Sequence, residues 1–62
     1  MNGQYAEILN TVIENGRVDM SQEYDWMLAE LEIEIEYESW LQGLNEDEVT
    51  EAVEYAIQHI QK

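Results

Sequence analysis

The chain of 62 residues contains no cysteine and no proline, and it has only two basic residues against 15 acidic ones. Without cysteine it can form neither a disulfide framework nor a thiolate metal site to supplement a small core. Its formal net charge of −13 would be repelled by nucleic acid and by anionic lipids. The composition therefore predicts that a charged partner of this chain is a basic protein.

Side chains that could carry catalysis are also scarce. The three glycines are spread along the chain, so no glycine-rich loop can cradle a phosphate. The single histidine, His59, has no glutamate three residues before it, as a carboxylate-bridged metal site in a helical bundle would require. Ser21 and Ser39 have no evident histidine partner. We therefore predict a protein that is not an enzyme and that uses no cofactor or metal.

The chain is nevertheless rich in apolar residues. They make up 45% of the sequence and include two tryptophans and four tyrosines, which argues against a disordered acidic tail. The length allows one domain, over residues 1–62. The first 16 residues do not resemble a secretion signal, and no stretch is long and apolar enough to span a bilayer. We expect a cytoplasmic protein.

The central stretch, residues 21–42, has the longest apolar pattern. Strict alternation of apolar residues with Glu from Leu31 to Tyr37 is typical of a half-buried strand. Over the longer window, helical spacing gives two apolar stripes on nearly opposite sides. The first stripe is Tyr24, Leu28, Leu31 and Ile35; the second stripe is Trp26, Ala29, Ile33, Tyr37 and Trp40. We predict one helix over 21–42, with an α+β chain carrying a strand at 30–39 as the alternative.

Two shorter helices complete the predicted fold, an all-α three-helix bundle with a long central helix. The first is expected over residues 3–15 and the third over 45–61. The predicted buried face of the first is Tyr5, Ile8, Leu9, Val12 and Ile13; that of the third is Val49, Ala52, Val53, Ala56, Ile57 and Ile60. Short connections between the helices imply antiparallel neighbours.

Local signals mark the helix ends. Gly16 and Gly43 suit the left-handed position that follows a helix. Asn45 and Glu48 predict a capping box at the start of the third helix, with Leu44 and Val49 as a hydrophobic staple across it. Asn2 can cap the first helix, and either Asp19 or Ser21 the central one. Val18 and Met20, in the first connector, are expected beneath the bundle.

The third predicted helix has a further resemblance. Residues 46–56 resemble a ubiquitin-interacting helix. The pattern is an acidic run, then an apolar residue, two spacer residues, an alanine and a second apolar residue. The serine that closes the family's pattern is replaced here by Ala56. The same pattern describes an ordinary capped amphipathic helix. We therefore treat the resemblance as a chance match.

Seven acids lie between the two stripes of the central stretch, which contains no base. One group, the Glu30 flank, is Glu23, Glu30, Glu34 and Glu38; the other, the Glu32 flank, is Asp25, Glu32 and Glu36. Each like-charge pair four residues apart costs about 0.2–0.5 kcal/mol. Such a surface can simply be solvated. Because successive acids stand about 6 Å apart along a helix, it can also imitate a phosphate backbone, and we predict that these acids bind a basic partner.

The second stripe cannot easily be covered by so small a chain. Trp and Tyr are favoured at interfaces. Pairing of two central helices about a twofold axis would bury the stripe against its own copy. We therefore expect the five residues of the second stripe to mediate homodimer formation or to bind a partner.

In size, acidity and helical content the chain resembles small phage-encoded inhibitors that imitate DNA, including some anti-CRISPR proteins. It is also similar in kind to acidic immunity proteins and antitoxins that block basic nucleases. The resemblance implies inhibition of a nucleic-acid-binding protein by occupancy of its basic site. The alternative function is a structural or adaptor module that binds through the Trp26 and Trp40 stripe.

Overall fold

A computed structural model describes residues 3–61 of the chain, which form three α-helices. They are α1 (Gly3–Glu14), α2 (Tyr24–Leu41) and α3 (Glu46–Ile60). The part of the chain described contains no strand. The predicted all-α three-helix chain is confirmed, and the alternative with a strand at 30–39 is wrong. The alternation of apolar residues and Glu arises where two stripes of one helix interleave.

The turns that end α1 and α2 each contain a glycine in the left-handed conformation. Gly16 and Gly43 adopt positive φ angles of 67° and 84°, which a residue without Cβ accepts at little cost. After α2 the N–H of Leu44 donates to the carbonyl of Ser39, and after α1 the N–H of Arg17 donates to that of Val12. These bonds satisfy carbonyls left open at the helix ends, so both predicted stops are confirmed.

The start of α3 is also as predicted. The Asn45 side chain accepts a hydrogen bond from the N–H of Glu48 at 2.9 Å, and the Glu48 carboxylate accepts one from the N–H of Asn45 at 3.0 Å. Leu44 and Val49, on either side of this capping box, are both buried in the core.

The start of α2 differs from the prediction. The helix begins at Tyr24, after Glu23, which makes no side-chain capping bond. The predicted caps, Asp19 and Ser21, bond to each other instead: Asp19 accepts from both the N–H and the hydroxyl of Ser21, at 2.9 and 2.6 Å. This local turn competes with the helix, so the start predicted at residue 21 is three residues too early. The predicted cap Asn2 lies outside the residues described.

The core lies between all three helices. Leu31 and Ile35 of α2 stand at its centre, with exposures of 0% and 1%. The predicted face of α1 is buried apart from Ile13, which is partly buried, as are Ile57 and Ile60 of α3. The α3 residues matching the ubiquitin-interacting pattern, Val49, Ala52, Val53 and Ala56, are buried in this core. They therefore serve as a packing face.

The first stripe of α2 is only partly buried. Tyr24 is 45% exposed, and Met27, which the periodicity did not select, is buried instead. Tyr24 is the first residue of the helix, so it lies at the end of the bundle. In the preceding connector Val18 is buried as predicted, but Met20 is 44% exposed, so its predicted place beneath the bundle is wrong.

Candidate functional site

The second stripe of α2 lies on the outward face of the bundle. Trp26, Ile33, Tyr37 and Trp40 are 68%, 64%, 58% and 54% exposed, and Ala29 between them is exposed. Burial of such side chains contributes roughly 1.5–3 kcal/mol each. Leu31 and Ile35 of the first stripe lie on the opposite side of α2, in the core formed with α1 and α3. The described part of the chain thus leaves an apolar surface exposed along the length of α2. Large exposed apolar patches of this kind often mark interaction sites.

The Glu30 flank on one side of this stripe is tied to the first connector. Arg17 Nε donates to Glu34 Oε1 at 2.9 Å, and Arg17 Nη1 donates to Glu38 Oε1 at 2.7 Å. The guanidinium also lies 5.5 Å from the centre of the Tyr37 ring, within the range of a cation–π contact. One basic residue from outside the central stretch therefore offsets charge on this flank.

The ionisation of this pair follows from its geometry. The pKa of Glu38 is lowered, chiefly because its carboxylate accepts a hydrogen bond from Arg17 and then because it accepts one from Gln42. The pKa of Arg17 is raised, chiefly by its hydrogen bond to Glu38 and then by that to Glu34. Glu38 is 7% exposed. The Glu38 carboxylate is therefore ionised and buried at the edge of the bundle, where it is not accessible to a partner.

The two remaining acids of the Glu30 flank differ in their surroundings. The Glu30 carboxylate accepts hydrogen bonds from the N–H of Asp19, at 3.1 Å, and from the side-chain amide of Gln22. Glu23 is exposed at the start of α2. Three predicted partner-binding acids, Glu30, Glu34 and Glu38, are therefore engaged in holding the connector against α2. This role was not predicted, because Arg17 lies outside the central stretch and 17 and 21 residues from Glu34 and Glu38.

The Glu32 flank on the other side has no such compensation. Asp25, Glu32 and Glu36 are all exposed. Within residues 3–61 the ion pairs are those of Arg17, and none involves this flank. Glu32 and Glu36 border a shallow groove of about 270 Å³ between α2 and α3, and Glu54 of α3 borders it from the other side. Among the residues described, this edge of the second stripe therefore keeps its acidic side chains exposed and without an ion-pair partner.

A second concavity lies at the end of the bundle where α2 begins. It measures about 840 Å³ and is lined by Met20, Gln22, Tyr24, Met27, His59, Ile60 and Gln61. His59 stacks on Tyr55, with ring centres 4.3 Å apart. Over residues 3–61 no group of three or more His, Asp or Glu side chains is placed to hold a metal ion. Nor is any helix in that range both long and apolar enough to cross a membrane.

Comparisons of this chain with protein-family models, curated proteins and solved structures give no match. Exposure and charge define the candidate site as the outward face of α2: the second stripe with the Glu32 flank along one edge.

Proposed function

We propose that this protein is a small acidic inhibitor, without enzymatic activity, that binds the basic surface of a nucleic-acid-binding protein. It acts by occupying the site that nucleic acid would take, in the cytoplasm. The proposal assigns the contact to the Glu32 flank, because three of the four acids on the opposite flank already serve the connector. The single observation that carries it is the row of exposed, unneutralised carboxylates of Asp25, Glu32 and Glu36.

The physical basis is electrostatic complementarity. The row extends over residues 25–36 of α2, or about 16 Å of helix axis. Carboxylates placed in this way attract a groove lined with Lys and Arg and raise the rate of association with it. Because exposed charges interact through salt solution, this attraction falls steeply as ionic strength rises.

A second candidate function is favoured by the exposed tryptophans. Trp26 and Trp40 are more than half exposed. Tryptophan is among the residues that contribute most to binding free energy when an interface buries them. An adaptor or an immunity-type module would bind chiefly through this stripe. Its acids would then only keep the protein soluble, and its binding would depend weakly on salt.

Capture of proteins from a bacterial lysate at low and at high salt separates these functions. The test variant is Glu32→Lys/Glu36→Lys. The matched control is Glu7→Lys/Glu14→Lys, which makes the same change in net charge at exposed positions on α1. The inhibitor function predicts that the wild type and the control capture basic proteins at low salt, that duplex DNA displaces them, and that the test variant loses them.

Two results would contradict the inhibitor function. One is capture that survives both high salt and reversal of Glu32 and Glu36 but fails in Trp26→Ser or Trp40→Ser, which would identify the adaptor. The other is an equal loss in the test and control variants, which would mean that net charge alone attracts the captured proteins.

A further inference from the structure

The two edges of the second stripe differ in charge, although the sequence of α2 makes both edges acidic. Along one edge Arg17 bonds to Glu34 and Glu38 and approaches Tyr37. Along the other, Asp25, Glu32 and Glu36 have no ion-pair partner within residues 3–61. The outward face of α2 is therefore an apolar surface with one strongly acidic side and one partly neutralised side.

A helix is the partner element whose shape fits this surface. The stripe follows α2 from Trp26 to Trp40, about 21 Å of axis, and its members recur at spacings of three and four residues. An amphipathic helix laid along it would place its own apolar residues, at the same spacings, over Ile33 and the two tryptophans.

A second copy of the chain fits the same surface less well. Antiparallel pairing of two α2 helices places the Glu32 flank of one copy beside that of the other. Parallel pairing places it beside the Glu30 flank, where Arg17 already serves two carboxylates. Both arrangements bring carboxylates together.

We propose that the outward face of α2 docks an amphipathic helix that is basic along one edge. Its apolar face covers the second stripe, and Lys or Arg residues at spacings of four and seven lie beside Glu36, Glu32 and Asp25. The proposal rests on the proposed function, because it assigns the basic partner a particular structural element. It adds that the partner presents apolar residues as well as charge, and that its charge lies on one edge.

Synthetic helical peptides provide the test with the full chain. The first carries Leu and Ile on one face and Lys along one edge. The second has Glu in place of that Lys, and the third keeps the Lys but has Gln on the apolar face. Binding is followed by the fluorescence of Trp26 and Trp40 and by calorimetry at low salt. We expect the first peptide to bind and the other two to bind at least about tenfold more weakly, a loss of about 1.4 kcal/mol each.

Variants of the protein complete the test. Glu32→Lys/Glu36→Lys should invert the preference between the Lys-edged and Glu-edged peptides, whereas Glu7→Lys/Glu14→Lys should leave it unchanged. Ile33→Ser should weaken the Lys-edged peptide about tenfold, and because Ile33 is 64% exposed, the variant should fold normally.

The inference is overturned if the edge charge makes no difference, or if the Gln-faced peptide binds as well as the Leu/Ile-faced one. It is also overturned if the wild type is a stable dimer at low salt that binds none of the peptides, because the stripe would then be covered by a second copy. Failure of the proposed function is a separate result. If no peptide binds but Glu32→Lys/Glu36→Lys still loses basic proteins in lysate capture, the inhibitor function stands and only the helical element is wrong.

Discussion

Arg17 Nη1 donates a hydrogen bond to Glu38 Oε1 across 2.7 Å, joining the first connector to the last turns of α2. Glu38 is 7% exposed, and the same Arg17 also bonds to Glu34. Because the two glutamates are one helical turn apart, the planar guanidinium can serve both at once. The pair fixes the connector and removes these acids from the surface available to a partner.

Arg17→Met should therefore destabilise the fold. The substitution keeps an apolar stem beside Tyr37 but leaves the Glu38 carboxylate buried without its cation, and we expect a loss of about 2 kcal/mol in the free energy of unfolding. Urea denaturation measures it. Glu34 is the more exposed of the two glutamates that bond to Arg17. Glu34→Gln should therefore lower the free energy of unfolding by less. A loss below about 0.5 kcal/mol for Arg17→Met would show that this pair is no stronger than an ordinary surface ion pair.

The contribution of Glu38 should depend on pH with a defined sign. Its pKa is lowered in the folded chain by the hydrogen bond from Arg17, so the unfolded chain binds this proton more readily. The stabilisation is fully present above the ordinary carboxyl pKa of about 4.3 and is lost as pH falls through the lowered value. The free energies of unfolding of wild type and Glu38→Gln should therefore differ most at neutral pH and converge as the pH falls below the lowered pKa of Glu38.

Acidification also relieves repulsion among the other carboxylates, but both proteins share this effect, so it cancels in the difference between their free energies of unfolding. The two chains differ by one ionisable group on the same surface. A difference in unfolding free energy that stays constant from neutral to acidic pH would mean that the Glu38 charge contributes nothing and that only the shape of the side chain matters.

Ser39→Ala should stabilise the protein. Ser39 is fully buried, and its hydroxyl has no hydrogen-bond partner within residues 3–61. Alanine removes the cost of burying that group and has the higher helix propensity, so we expect a gain of about 1 kcal/mol in thermal or urea unfolding. Ser21→Ala is the matched control, because the Ser21 hydroxyl donates to Asp19 at 2.6 Å and its removal should give no gain. A loss of stability in Ser39→Ala would indicate that the hydroxyl is satisfied.

The sequence predicted those features that depend on neighbours within one or two helical turns. The Asn45–Glu48 capping box and the glycine stops at Gly16 and Gly43 are of this kind, because the bonding groups are at most five residues apart. The two-stripe pattern of α2 also follows from periodicity alone. It correctly indicated that Ile35 lies inside and Ile33 outside.

The charge distribution of the site could not be predicted in the same way. Arg17 is 17 residues from Glu34 and 21 from Glu38, so their pairing depends on how the connector crosses α2. That path in turn depends on the Asp19–Ser21 turn, which delays the start of α2 to Tyr24. One signal was available: Arg17 is one of only two basic residues, and it directly follows a helix-ending glycine. Such a cation would be expected to form ion pairs with the nearest carboxylates.

Self-association of the chain through the second stripe should depend on salt. Burying Trp26 and Trp40 against another copy gains free energy, but two chains of net charge −13 repel each other. Salt screens this repulsion, with a Debye length of about 10 Å at 0.1 M, and leaves the apolar contribution intact. Sedimentation equilibrium should therefore show a monomer at low salt that forms a dimer more readily as salt rises, opposite to the salt response expected with a basic partner.

Ile33→Ser/Trp40→Ser is the variant that assigns the contact, since both side chains are more than half exposed and their loss leaves the core intact. It should remain monomeric at every salt concentration at which the wild type associates. Glu7→Lys/Glu14→Lys, which lowers the negative charge without touching the stripe, should associate at lower salt than the wild type, because repulsion is the term that salt removes. A wild type that stays monomeric at tens of micromolar protein in both low and moderate salt would show that burial of this stripe against itself is too weak to form a homodimer.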